Sequence, residues 1–298
     1  MKVDVAVCTY QSGKYLEQCL SSIEKTVPVN EFIIVDHYST DNTLEIAKRH
    51  NAQIFFENVG LGYARQIAIE HVKTPIFLFV DSDVVFYQED WFYKAVSLFK
   101  EADVGGVGIW TPSCLPLWRR RYADYWWKHV PAIRRYGFVN AYLILKKAIE
   151  GIKIPSHLGA YEHVYIKRYI QNRGYRVKVM PVRGMHFYDF PDDKASWLGA
   201  GARVFEGIRH LPKFLFRHVL TAPLKAVPPS LAYKDPTIIL RNTEYWIKYL
   251  KGWLYPHRYI NIKYKAKNNM IASLKSRLIL FRMLLSVSLI NDRNIGSV

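Results

Sequence analysis

Five consecutive apolar residues, Ile76-Phe77-Leu78-Phe79-Val80, run directly into Asp81-Ser82-Asp83. A short run with no polar face must be covered on both sides, which makes it the central strand of a parallel sheet. Three other short runs precede it, at residues 3–8, 31–35 and 53–56. Between them lie stretches with helical spacing. Residues 14–25 place Tyr15, Cys19, Leu20 and Ile23 on one face, residues 43–50 follow Asp41 as a cap, and residues 63–72 follow Gly60 and Gly62. Strands alternating with helices of this length predict an α/β fold with helices on both faces of the sheet. In such sheets ligands bind at the carboxyl ends of the strands. That rule selects Thr9 and Tyr10, Asp36, and Asp81 to Asp83.

Residues 110–136 break the pattern. They hold Trp110, Trp118, Trp126 and Trp127 with Arg119, Arg120 and Arg121, and suggest a lid or substrate loop. Residues 138–146 and 175–180 are strand-like, and a helix over 161–172 stops at Gly174. At Pro191-Asp192-Asp193 the composition changes. Helical stretches rich in Lys, Arg, Trp and Leu follow at 196–210, 213–226, 235–254 and 266–290. The predicted organisation is a catalytic α/β domain over residues 1–190 and a basic, mainly helical region over 191–298.

The net charge of +17 belongs mostly to that second region. From Glu206 onward there are 16 Lys and Arg against 4 Asp and Glu, and 26 against 21 in the remainder. Such an excess faces an anionic partner or simply keeps the chain solvated. Basic amphipathic stretches at 211–224 and 274–290, with Trp246, Tyr249, Trp253 and Tyr255, suit the interface of a membrane. No run of 18 or more apolar residues, the length needed to cross one, occurs in the sequence, and residues 278–290 fall short and contain Arg282. Asp4 interrupts the first apolar run, against a signal peptide. Cys8, Cys19 and Cys114 form no metal-binding spacing, and the odd count fits a reducing compartment.

Asp81 and Asp83, just past a buried strand, can converge on one hard cation if the backbone turns there. Mg²⁺ or Mn²⁺ would then take carboxylate and diphosphate oxygens together. The pair is weak alone and gains weight from its place after the fourth strand. Four ordered segments make the reading specific: Val7-Cys8-Thr9-Tyr10, Ile34-Val35-Asp36-His37-Tyr38-Ser39-Thr40-Asp41-Asn42-Thr43, Asn58-Val59-Gly60-Leu61-Gly62-Tyr63-Ala64-Arg65 and Phe79-Val80-Asp81-Ser82-Asp83. In order and spacing they resemble the family 2 glycosyltransferases, which have the GT-A fold, a Rossmann-like mixed sheet with helices on both faces. The resemblance extends through Glu162-His163 and Gly174-Tyr175-Arg176 to about His186.

The resemblance implies metal-dependent transfer of a sugar from a nucleotide donor with inversion at the anomeric carbon. Thr9, Tyr10 and Asp36 would line the nucleoside pocket, and Arg65 would lie near the donor. Asp81, Ser82 and Asp83 would meet ribose, diphosphate and metal, with Asp83 the more direct ligand. His186 would complete the metal site, and Arg183 is a further diphosphate candidate. The chain departs from the family at two places. His37 stands where a second acid is usual, and Glu162-His163 replaces Glu-Asp. Either Glu162 or His163 could take the proton of an acceptor hydroxyl, with Glu162 preferred.

The expected partners are a nucleotide-sugar donor (UDP-sugar favoured over GDP-sugar), a glycan or lipid-linked acceptor, and a membrane surface on its cytoplasmic side, but no nucleic acid. Two other readings compete. A sugar-nucleotide pyrophosphorylase would need a Gly-rich loop after the first strand, for which Thr9-Tyr10-Gln11-Ser12-Gly13 is poor. A basic nucleic-acid-binding protein would account for the charge, but not for acids clustered at the ligand edge.

Overall fold

The four short runs form strands β1 (Val3–Thr9), β2 (Val29–Asp36), β3 (Gln53–Phe56) and β4 (Ile76–Asp81). The structure is a computed structural model that describes residues 1–111, 117–129, 140–187, 194–207 and 215–258. Helices α1 (Leu16–Thr26), α2 (Thr43–Arg49) and α3 (Leu61–His71) connect the strands. Four elements absent from the sequence reading follow: β5 (Val84–Phe86), α4 (Trp91–Ser97), β6 (Val104–Trp110) and, later, β9 (Gly184–His186). Between the last two lie α5 (Leu117–His129), β7 (Ala141–Leu145), α6 (Glu162–Asn172) and β8 (Arg176–Pro181). Gly174, at φ +85°, sits just past the end of α6, where its left-handed conformation lets the chain turn into β8.

The sheet order is β3-β2-β1-β4-β7-β6-β8, so β4 is the middle strand of seven. β7 runs antiparallel to both β4 and β6, and the other neighbours are parallel. This is the mixed α/β sheet expected of a GT-A fold. Side chains alternate strictly between the two faces. Val5, Val7, Ile34, Leu78, Val80 and Leu143 pack under α1, α2 and α4. Ala6, Ile33, Val35, Phe77, Phe79 and Tyr142 pack under α3 and α6. β6 escaped the sequence reading because its glycines hide the pattern. At Gly105 a Cβ would collide with Tyr175 and Ala148, so close packing explains the residue.

Beyond β9, α7 (Lys194–Glu206) is followed by a π-helical turn (Leu215–Leu220), α8 (Ala222–Ala232) and α9 (Thr237–Leu254). The single helix expected over 213–226 is thus divided at Thr221, because Pro223 has no N–H to continue the preceding turn. α7 and α9 approach closely at Gly199, which faces the Tyr249 backbone, and Gly252, which faces Ser196. α7 also carries Gly201 against Tyr161 and Leu158, so the C-terminal helices buttress the segment that leads into Glu162.

The tryptophan- and arginine-rich stretch, read as a lid, is helical over α5 and lies against α8 and α9. Arg121 donates to Asp235 at 2.9 Å, and the Arg119 guanidinium lies 4.4 Å from the Tyr245 ring centre. Charged and aromatic groups at helical spacing are here a docking face. Among the described residues, no helix is long and apolar enough to cross a membrane. Cys8 and Cys19 are free thiols. Cys114, the expected boundary at 191–193 and the basic stretch at 274–290 lie outside the described residues.

Candidate active site

The carboxyl edge of the sheet gathers most of the residues singled out in the sequence. After β1 and β2 the acids are tied into the protein. Asp36 is fully buried, with Oδ2 accepting from the hydroxyls of Thr9 and Ser39 at 2.7 Å each and Oδ1 accepting from the Ser39 N–H at 2.6 Å. Asp41 accepts from the N–H and hydroxyl of Thr43 and from the Gly13 N–H at 2.8 Å. Local loss of hydration opposes ionisation of the exposed Asp41, but these donors hold its carboxyl below the usual range. Gln11 and Tyr38 adopt left-handed backbone conformations at the two loop tips. Tyr10 is exposed and meets His37 edge-on at 5.3 Å. His37 is held at 2.7 Å by Glu57, whose other oxygen accepts from the Val59 and Gly60 N–H groups. Sequence reasoning missed Glu57. Its signal was a lone acid following β3 and preceding the Asn58-Val59-Gly60 turn.

A second group of charges lies deeper. Arg65 is buried on α3, with its guanidinium 4.6 Å from the Phe79 ring centre. Nη2 donates to Asp81 at 2.9 Å, and Nε lies 3.7 Å from Glu162. Glu162 is 3 % exposed, and its Oε2 lies 3.9 Å from His163 Nδ1. Burial alone would raise the Glu162 carboxyl, but His163 and Arg65 together hold it below the ordinary glutamate value. Arg65 Nε and Nη1 and Glu162 Oε2 are buried without a hydrogen-bond partner. Helix geometry brings the group together, since Arg65 comes from the first turns of α3 and Glu162 begins α6 on the same face of the sheet.

The third group sits beside it. β5 and β9 form an antiparallel ribbon with Val84 opposite His186, and Phe187 N–H donates to the Asp83 carbonyl at 2.8 Å. This ribbon brings His186 Nε2 to 3.1 Å from Asp83 Oδ1. Gly184 permits it, because a Cβ there would strike the Val85 carbonyl oxygen and Thr111. Asp81, Asp83 and His186 each offer a ligand atom, all within 4.8 Å of one another. Two carboxylates and an imidazole form a donor set that Mn²⁺ accepts readily and Mg²⁺ less so. The set fits a divalent cation. Ser82 reaches Ser12 at 2.9 Å, joining this loop to the β1 loop. Arg183 is exposed between β8 and β9, and its backbone N–H donates to Gln88.

Residues 4–150 match the family model described as Glycosyl transferase family 2. Poly(ribitol-phosphate) beta-N-acetylglucosaminyltransferase TarS of Staphylococcus aureus is 33 % identical over 128 residues, covering 37 % of this chain and 22 % of that protein. Teichoic acid poly(glycerol phosphate) polymerase of Staphylococcus epidermidis is 38 % identical over 92 residues, covering 28 % of this chain and 13 % of that one. The chain therefore spans less than a quarter of these relatives. Among solved structures, the mannosyltransferase PcManGT of Pyrobaculum calidifontis in complex with GDP-Man and Mn²⁺ aligns with a TM-score of 0.56 at 17 % identity, over 94 % of this chain and 80 % of that one. Glucosyl-3-phosphoglycerate synthase of Mycobacterium tuberculosis, in complex with Mn²⁺ and UDP, aligns at 0.52 and 15 % identity, over 68 % and 79 %. Residues 4–150 belong to glycosyl transferase family 2, and the fold is GT-A.

Proposed function

We propose that this chain transfers a sugar from a nucleotide-sugar donor to an acceptor hydroxyl, with inversion at the anomeric carbon. The observation that carries the reading is the physical connection between two sites, since Arg65 joins Asp81 of the cation-ligand group to the buried Glu162. Asp83 and His186, with Asp81, would hold a divalent ion. When bound, that ion supplies positive charge against the departing nucleoside diphosphate. Glu162 takes the proton of the acceptor hydroxyl, and its lowered carboxyl keeps it ionised and ready to do so. His163 steadies that carboxylate from 3.9 Å. Arg65 fixes the carboxylate relative to Asp81 and balances its charge in the interior.

Thr9 and Asp36 serve the donor by shaping the loop on which Tyr10 stands, and Tyr10 presents an exposed ring for the nucleoside. A UDP-sugar is the proposed donor, with a glycan or lipid-linked acceptor. The staphylococcal relatives' names carry polyol phosphates, and a net charge of +17 suits an anionic acceptor of that kind. The free thiols Cys8 and Cys19 are consistent with work on the cytoplasmic side of a membrane.

Donor hydrolysis with and without Mn²⁺ tests the reading directly. The wild-type chain should hydrolyse a UDP-sugar slowly in the presence of Mn²⁺, and Asp83→Ala should not. Equal hydrolysis by both would remove the metal assignment. Thermal stabilisation by UDP against GDP, each with Mn²⁺, decides the donor base.

A further inference from the structure

Helix α8 is built inside out. Its inward positions are small: Ala222, Ala226, Pro229 and Ser230 are buried. Its outward positions are large and apolar. Leu220, at the end of the π-helical turn, is 67 % exposed, Leu224 70 %, Val227 38 % and Leu231 73 %. Spacings of four, three and four residues place these four side chains in one stripe along the helix. A helix that stabilised only its own domain would turn its leucines toward α9 and its alanines toward water. The orientation is fixed by specific contacts. Asn242 on α9 donates to the Ala222 carbonyl at 2.9 Å, and Ser230 donates to the Asp235 carbonyl at 2.9 Å. These bonds anchor both ends of the small-residue face, so the stripe stays pointed at solvent.

The surroundings are cationic. Residues 215–258 hold seven Lys and Arg against two Asp and Glu. Both acids are already engaged, Asp235 by Arg121 and Glu244 by Arg241 and Lys248. Lys234, Arg241 and Lys251 are exposed.

We propose that α8 is a membrane-docking element, which inserts Leu220, Leu224, Val227 and Leu231 among the acyl chains of an anionic bilayer while nearby lysines and arginines meet the headgroups. An apolar stripe within a basic surface matches that interface in both its layers. A nucleic acid would set phosphates against the leucines. A second copy of this chain would bring one basic surface against another. The docking does not depend on glycosyl transfer, and vesicle binding measures it without any substrate.

The full chain is mixed with phosphatidylcholine vesicles, with and without phosphatidylglycerol, and sedimented. Binding should require the anionic lipid and weaken with added salt. Leu224→Asp/Leu231→Asp should lower partitioning by about tenfold or more. Both positions are exposed, so the circular dichroism and thermal midpoint should match wild type. Leu224→Ala/Leu231→Ala should weaken binding in the same direction should the aspartates disturb the fold. The proposal is overturned if the wild type stays in the supernatant, or if both double variants sediment as it does. It is equally overturned if light scattering finds a wild-type dimer that the substitutions separate, which would assign the stripe to a second copy.

Discussion

Two sets of acidic residues share the carboxyl edge of one sheet and have opposite relations to their surroundings. Asp36 and Asp41, behind β2, accept hydrogen bonds on both oxygens from Thr9, Ser39, Thr43 and Gly13. They hold two loops in register. Glu162 and Arg65 are nearly as deeply buried as Asp36, yet Glu162 Oε2 and two guanidinium nitrogens have no hydrogen-bond partner. Asp83 faces His186 across a ribbon that leaves donor atoms pointing at one another. Buried polar groups are normally satisfied, and leaving one unmade costs about 1–3 kcal/mol. The first set is therefore complete as folded, while the second is shaped for atoms the chain does not itself provide. Identical residue types at one sheet edge thus divide into scaffold and chemistry according to how many of their hydrogen bonds are already made.

The largest expected effect falls on the incomplete set. Glu162→Gln keeps the shape and removes the base, so kcat should drop by about 10²–10⁴ with donor affinity unchanged. His163→Gln should cost far less. The reverse ranking would transfer the base role to His163. Next comes Arg65→Met, which takes the buried cation away from the buried Glu162 and from the partly exposed Asp81. Unfolding in urea should show a loss of about 3–5 kcal/mol. The pH dependence has a definite sign. In the wild type Glu162 titrates below its unfolded value, so its stabilising contribution is complete above that value and fades as pH falls through the folded one. Without Arg65 one of the two groups that hold the carboxyl down is gone, so the carboxyl moves up and that contribution shrinks. The gap between variant and wild type should widen as pH rises through the range in which the carboxyl titrates, and a constant gap would mean that Arg65 acts by packing alone.

The division between the sets was only partly legible in the sequence. The apolar run before Asp81 located the middle strand, because a strand covered on both faces leaves an unmistakable pattern. β6, with three glycines, left none, and β5 and β9 are too short for a period to register. That ribbon is what sets His186 against Asp83, 103 positions apart in sequence, so pattern alone could propose the partnership but not supply the contact. Asp36 and Asp81 each follow a buried strand and look alike in sequence. What separates them is the Ser39 hydroxyl and N–H on one side and the Arg65 guanidinium on the other, and those depend on turns and on helix packing. Likewise the arginines and tryptophans of α5 carried the pattern of a lid. Only Asp235, in the turn between α8 and α9, and the Tyr245 ring on α9 reveal a packed helix.

His186→Ala should give a middle-sized effect, about a 10- to 100-fold loss of Mn²⁺ affinity in titration calorimetry with UDP present. Asp83 and Asp81 would remain to hold the ion more weakly. An unchanged affinity would confine His186 to bracing Asp83.

The smallest effect belongs to the completed set and tests the comparison most sharply. Thr9→Val preserves side-chain shape and removes one of the three donors to Asp36. Asp36 keeps the Ser39 N–H and hydroxyl, so the cost should be about 1 kcal/mol in unfolding free energy. If Asp36 only shapes the loop, Mn²⁺ affinity and kcat should stay at wild-type values, and any change should appear as a modest rise in KM for the donor through the position of Tyr10. A fall in kcat comparable to that of Glu162→Gln would mean that Asp36 reaches the reacting atoms, and the boundary between scaffold and chemistry would have to be moved to include β2.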